Sequence, residues 1–349
     1  MDINKLEPPK IVDRILNEAV ALHASDIYWL PEGDLYSIRC KINGEQKVLY
    51  SISSEAGAQC TSRIKVMAQL LTYRNQISQD GVIKDDAGFG NVEFRVAVMP
   101  TVNGERITVR ILDKAMTPQY LDELHFAPEV VSQLQTMLSK NSGMIVLTGP
   151  TGCGKTTTIY ALVRELLKNN QDPASIISIE DPVECRIPGI SQVSLSKAGE
   201  EWNYPLALRA ALRQDVKTLV IGEMRDREVV KVALDAALTG HRVITTFHAG
   251  DIPSVYARIL HQGFEPFLVA SAITGIVSQR LLKSKLGETR IPLAALLVPD
   301  DAWKDFIIAN PALSELRKKI KEYPMAHLQN VAEKMAAAGM IDVKDAYLL

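Results

Sequence analysis

The chain has 349 residues, 23% of them charged, and a formal net charge of −2; that length predicts two domains, each burying a core of its own. The near-neutral balance supplies no broad basic field for gripping phosphates, so direct nucleic-acid binding is not expected. The four cysteines, Cys40, Cys60, Cys153 and Cys185, form no C-x-x-C pair, which argues against a zinc site or a disulfide framework and for a reducing cytoplasm.

In chain order, Met1 to Lys5 open with no basic region leading into an apolar stretch, and no run approaches the roughly 18 apolar residues needed to span a bilayer. Any membrane association is therefore expected to be peripheral, through partners. Residues 9–23 place Ile11, Ile15, Ala19 and Leu22 at three- and four-residue intervals and predict an amphipathic helix. Three β-rich runs follow at 26–30, 35–42 and 46–50, with Asn43-Gly44 as a hairpin signal, and then a helix over 56–71. The alternating run 92–99 and the run 106–112 flank Asn103-Gly104 and predict a second hairpin. Residues 1–114 thus read as an α+β domain, PAS-like in outline, and 115–120, with Thr117-Pro118, as a linker.

Residues 121–349 read differently. Short apolar strands at 144–148, 176–179, 219–222 and 243–247 alternate with helices from Lys155, near 205–213 and over 226–238. That alternation predicts a parallel α/β sheet covered on both faces. Beyond Pro253 the domain is expected to be mostly helical, with one helix over 326–338.

Between the first of these strands and its helix stands Gly149-Pro150-Thr151-Gly152-Cys153-Gly154-Lys155-Thr156. Backbone N–H groups at a helix N-terminus can converge there on phosphate oxygens. Lys155 would reach the terminal phosphates and the Thr156 hydroxyl would complete the coordination of Mg²⁺, so ATP and Mg²⁺ are the expected cofactors. Cys153 fills a position where the backbone does the binding and a small side chain suffices, although a helix N-terminus can lower a thiol pKa. Three later strands end in polar groups on the edge where such sheets bind ligands. Glu180-Asp181-Pro182-Val183-Glu184 caps the run 176–179, and one of its carboxylates can activate water. Glu223 follows the run 219–222, and His248 follows 243–247, where it can sense a γ-phosphate.

Motif by motif, these residues closely resemble the secretion ATPase superfamily of type II secretion, type IV pilus and competence systems. Gly149 through Thr157 is similar to its Walker A box, Ile179 through Glu184 to its Asp box, Gly222 through Asp226 to its Walker B box, and Thr239 through Ala249 to its His box. The resemblance extends into the first domain through Ala24-Ser25-Asp26-Ile27, Gln79-Asp80-Gly81, Phe94-Arg95-Val96 and the run from Pro100 to Arg106. It implies a RecA-like P-loop NTPase domain preceded by the smaller α+β domain, working as a homo-oligomer, a hexameric ring, on a polytopic inner-membrane platform protein and indirectly on pilin-like subunits. It further implies Glu184 as general base, Glu223 as organiser of Mg²⁺ and the γ-phosphate, His248 as coupling residue, and Arg95 and Arg110 as arginines approaching the phosphates. The compact chain, without a four-cysteine zinc loop, looks most like the competence pseudopilus ATPases of Gram-positive bacteria. A type II secretion or type IV pilus motor is the alternative, and a nucleotide-regulated scaffold with little turnover is the alternative of another class.

Overall fold

The computed structural model describes residues 3, 6–83, 92–113, 120–195, 202–285 and 290–347. The chain divides into two compact units, Met1–Thr117 and Pro118–Leu349. Apart from Tyr120, the segment read as a linker lies outside the described residues.

In the first unit, α1 (Pro8–Ala21) begins on two prolines whose missing N–H groups cost nothing at a helix start, and it buries Ile11, Val12, Ile15, Leu16 and Ala19. Strands β1 (Asp26–Glu32), β2 (Leu35–Ile42) and β3 (Glu45–Ser53) follow, the last two joined at Asn43-Gly44, where both φ angles are positive as a tight hairpin requires. Helix α2 (Ser54–Met67) starts where the Ser53 hydroxyl accepts the Ala56 N–H at 3.3 Å. It stops four residues earlier than its apolar pattern predicts, because Gln69 turns left-handed (φ 60°) and the Leu70 N–H closes back on the Lys65 carbonyl at 2.8 Å.

Strands β4 (Gln79–Ile83), β5 (Val92–Thr101) and β6 (Gly104–Asp113) complete an antiparallel sheet in the order β3-β2-β1-β6-β5-β4. Strand β4 was not anticipated: it is short, lies at the sheet edge, and carries Gly81 where the Ala68 carbonyl leaves no room for a Cβ. Along β5 the residues Val92, Phe94, Val96 and Val98 are buried, so one face carries the core with α1 and α2 and the other carries polar groups. Fully buried Lys65 donates to Glu105 Oε1 at 2.8 Å and to the Arg74 carbonyl at 2.9 Å, tying α2 to the β5–β6 turn and to the loop before β4.

The second unit opens with α3 (Pro128–Ser139), β7 (Gly143–Thr148), α4 (Lys155–Lys168), β8 (Ile176–Glu180), β9 (Ser191–Ser194), α5 (Tyr204–Ala211), β10 (Thr218–Ile221), α6 (Arg227–Leu238) and β11 (Arg242–Phe247). It continues through α7 (Ile252–His261), α8 (Pro266–Ala272), β12 (Ile273–Lys283), β13 (Arg290–Leu297), α9 (Asp301–Ile308), α10 (Leu313–Lys319), α11 (Leu328–Ala337) and α12 (Val343–Tyr347). Among the described residues seven strands form one sheet in the order β13-β12-β7-β11-β10-β8-β9, parallel except for β13. Both faces are buried, and the period of two divides each strand between them. Met144 and Val146 pack with α6 and α7 on one face, while Ile145 and Leu147 pack with α3 and α4 on the other.

Beyond Pro253 most of the regular structure is helical, as expected, but two strands are added to it. Strand β12 runs parallel beside β7, and β13 returns antiparallel to it. Strand β13 is an edge, which is where Pro292 is tolerated in a sheet, and its Leu296 N–H donates to the Met325 carbonyl at 2.8 Å.

A phosphate-binding loop wired to three strand ends

The loop after β7 needs glycine for two distinct reasons. Gly149, Gly152 and Gly154 have φ of 140°, 75° and 90°, conformations that side chains resist. A Cβ at Gly149 would also stand 2.3 Å from the Gln279 carbonyl on β12. With Gly154 as N-cap of α4, the loop leaves the first N–H groups of a fourteen-residue helix open toward an anion. Lys155 curls over this loop: its Nζ donates to the Gly149 and Pro150 carbonyls at 2.8 and 2.9 Å and lies 3.9 Å from Cys153 Sγ. Thr156 is exposed on the first helical turn, and Thr157 is half-buried beside it.

The strand carrying the loop is fixed to the strand ending at His248. Buried Thr148 donates its hydroxyl to the Ala249 carbonyl at 2.6 Å and accepts the Ala249 N–H at 3.1 Å. From there a chain of charges crosses the neighbouring strand ends. His248 Nε2 donates to Glu223 Oε2 at 2.8 Å, the other Glu223 oxygen takes the Arg225 guanidinium, and Arg225 reaches Asp181 at 3.5 Å. Thus the polar ends of β11, β10 and β8 form one ionic row. Partial burial pushes the Glu223 carboxyl up, but hydrogen bonds and charge from Arg225 and His248 outweigh it and hold the group below the usual carboxylate range. Gly149, Pro150, Thr151 and His248 line a single open cleft together with Arg258 and Arg280.

The acidic segment after β8 separates into two roles. Glu180 does not project toward the phosphate-binding edge, as expected from its place at the strand end. It is 5% exposed and accepts from Tyr160 at 2.5 Å, Ser178 at 2.8 Å and Gln192 at 3.3 Å. Burial raises its pKa against the pull of those donors. Glu184 is half-buried, and its backbone N–H donates to the Tyr160 hydroxyl at 3.0 Å. Cys153 is buried, and burial raises its thiol pKa against the pull of Lys155, in keeping with a position where a small side chain simply fills the loop.

A divalent ion fits the donors present. Among the described residues no three His, Cys, Asp or Glu side chains gather into a metal-binding cluster. A hydroxyl at Thr156 and a carboxylate at Glu223 suit Mg²⁺, which keeps much of its water and takes nucleotide phosphates as ligands.

Arg95 and Arg110 belong to the first unit, where they stand directly opposite each other on β5 and β6. Like charges so placed repel. Asp26, opposite Arg110 on β1, accepts from its Nε at 3.2 Å and offsets part of that charge. Sequence reasoning singled out neither Arg225 and Asp181 as members of the ionic row nor Gln279, Arg280 and Tyr160 as supports of the site. The Arg225 and Asp181 positions lay within quoted motifs, but only strand order brings them together; nothing local marked the other three.

The model of the family described as "Type II/IV secretion system protein" matches residues 4–340. The chain is 32% identical over 359 residues to type II secretion system protein HxcR of Pseudomonas aeruginosa, covering 96% of this chain and 76% of that one. It is 38% identical over 275 residues to the type IV pilus assembly ATPase PilB of Myxococcus xanthus, covering 78% and 48% respectively. The chain spans about half the length of PilB and of several other secretion and pilus relatives. Among solved structures, the pilus retraction motor PilT with bound ADP aligns with a TM-score of 0.73 at 28% identity, covering 95% of both chains. The Legionella pneumophila ATPase DotB aligns with a TM-score of 0.80 at 23% identity, over 97% of this chain and 95% of that one, a likeness of fold. The second unit has the RecA-like fold of these ATPases, preceded by the smaller α+β unit.

Proposed function

The chain belongs to the Type II/IV secretion system protein family and is an ATPase, and from that premise we propose that it is the cytoplasmic motor of a pilus-like machine. The coarser reading, a type II secretion or type IV pilus motor, is supported by the relatives' names. The finer reading is assembly of a competence pseudopilus for DNA uptake, favoured by a sequence whose four cysteines form no zinc loop. In this reading the protein works as a hexameric ring, docks on a polytopic membrane platform protein and acts on pilin-like subunits indirectly. Mass measurement of the assembled particle in the presence of ATP tests the ring: a monomer at working concentration would exclude it.

The observation that carries the motor reading is the row from His248 through Glu223 and Arg225 to Asp181, which starts on the strand beside the P-loop strand and crosses the ends of the next two. The loop N–H groups and Lys155 hold the terminal phosphates of ATP. To do so, Lys155 exchanges its two carbonyl partners for phosphate oxygens. Thr156 and Glu223 would hold Mg²⁺, which when bound neutralises charge developing on the phosphate oxygens. Glu184 takes the proton of the attacking water. His248, hydrogen-bonded to Glu223, registers the departure of phosphate and passes it to the loop that Thr148 clasps. Arg95 and Arg110 are assigned to the ATPase cycle in this reading, so alanine at either is expected to lower kcat while the first unit stays folded.

Phosphate release by the purified protein tests this reading against a nucleotide-regulated scaffold. Lys155→Ala is expected to lose nucleotide binding and turnover together. Glu184→Gln is expected to keep binding while kcat falls by about 10²-fold or more, the scale of general base catalysis. Equal rates in the three proteins would exclude the motor.

A further inference from the structure

Building on the reading of Glu184 as general base, we infer that Tyr160 is a positioning residue that holds this base in register with the phosphate-binding helix. Tyr160 lies on α4 five residues after Lys155 and is buried, away from the open face of the cleft. A phenol offers one donor and two acceptor sites, and all three are used. The proton goes to Glu180 Oε2 at 2.5 Å, and the lone pairs accept the Glu184 N–H at 3.0 Å and the Cys185 N–H at 3.3 Å.

Further bonds to this segment come from β9. Val183 N–H donates to Ser194 Oγ at 3.3 Å, Ile187 N–H donates to Gln192 Oε1 at 2.7 Å, and Gln192 Nε2 returns a bond to the Cys185 carbonyl at 3.0 Å. These shape the loop but do not relate it to the phosphates. The phenol does, because it rides on the helix whose first turn is the phosphate cradle. One turn further along, Arg164 meets Cys185 Sγ at 3.9 Å on the same face.

Glu180 has a specific part in this arrangement. By taking the phenolic proton it obliges the oxygen to present lone pairs to the two amides. With no acceptor there, the O–H could swing toward the amides and oppose donor to donor. Burial and the Glu180 charge push the phenol pKa far up, so the proton stays on Tyr160 at any working pH. The buried carboxylate thus orients the tyrosine, and the tyrosine holds the backbone of Glu184.

Steady-state kinetics on the full chain test this. A displacement of about 1 Å in a reacting group can cost about 10²-fold, so Tyr160→Phe is expected to lower kcat by about tenfold or more while KM for ATP stays within about twofold, because the cradle itself is untouched. Ser178→Ala removes another bond to Glu180 but leaves the phenol on its amides, and should keep kcat within about threefold. Equal kcat losses in these two variants would reduce Tyr160 to general packing and overturn the inference. Wild-type kcat in Tyr160→Phe with Glu184→Gln inactive would overturn it while leaving the base assignment standing. Full activity in Glu184→Gln would overturn both. Should Tyr160→Phe fail to fold, Glu180→Ala carries the test: without that acceptor the phenolic O–H can turn on the two amides, so kcat is expected to fall by about tenfold while KM for ATP stays within about twofold, and an unchanged kcat overturns the inference.

Discussion

At Cys153 burial raises the thiol pKa, the nearby Lys155 ammonium lowers it, and burial prevails. Cys60 is buried too, its thiol pushed up to about 12, and Cys40 shares that buried state, whereas Cys185 is partly exposed. A thiol-reactive reagent at neutral pH, followed by peptide mapping, should therefore mark Cys185 first. Fast labelling of Cys153 in the folded protein would contradict the packing of the loop. Glu223 makes a prediction of the opposite kind. Its folded pKa lies below the ordinary 4.5, so the stability it contributes is present above that value and lost as pH falls through the lower folded value. Unfolding of wild type and Glu223→Gln compared across pH should show a difference that is level above about pH 5 and shrinks in more acid solution. At this scale the P-loop, Glu223 and His248 were legible because each sits in a contiguous motif at a strand end. The pairing of Arg225 with Asp181 was not, since it depends on β8 and β10 being neighbours. Nor was the inward turn of Glu180, which follows from the phenol waiting behind it on α4.

Elements were legible where pattern and packing agree. The alternation along β5 and the largely apolar runs of β7, β8, β10 and β11 announce one buried face and two buried faces respectively. Strands β12 and β13 defeat the same logic. Their Ser-Gln-Arg-Leu-Leu and Leu-Ala-Ala-Leu-Leu runs favour helix locally, and only pairing with β7, far away in sequence, overrides that preference. Helix α2 illustrates a different dependence. Lys65 is fully buried and Glu105 half-buried, and the ion pair joins three segments distant in sequence. Lys65→Ala leaves the carboxylate without its partner and is expected to destabilise the first unit by about 3–5 kcal/mol. Denaturant unfolding of that unit would show the change, and a loss below about 1 kcal/mol would mean the pair behaves as a surface contact.

The molecule as a whole carries separate cores in its two units. Calorimetry should resolve two transitions, with Lys65→Ala lowering only that of the first unit. Nucleotide at about 100 times Kd should stabilise the P-loop unit by about 2.7 kcal/mol, an effect that Lys155→Ala removes. A single transition indifferent to ATP would contradict both expectations. The large sheet also has a property that shows only outside the folded monomer. On its β13 edge, Pro292 has no N–H to offer and the Leu296 N–H is taken by Met325, while α11 packs against the strand. An incoming strand therefore meets a poor template, which protects a crowded protein against edge-to-edge aggregation. Cutting the chain before Met325 would expose that rim, and the shortened protein should precipitate through new strand pairing, visible as amyloid-like dye binding, before its nucleotide chemistry is lost.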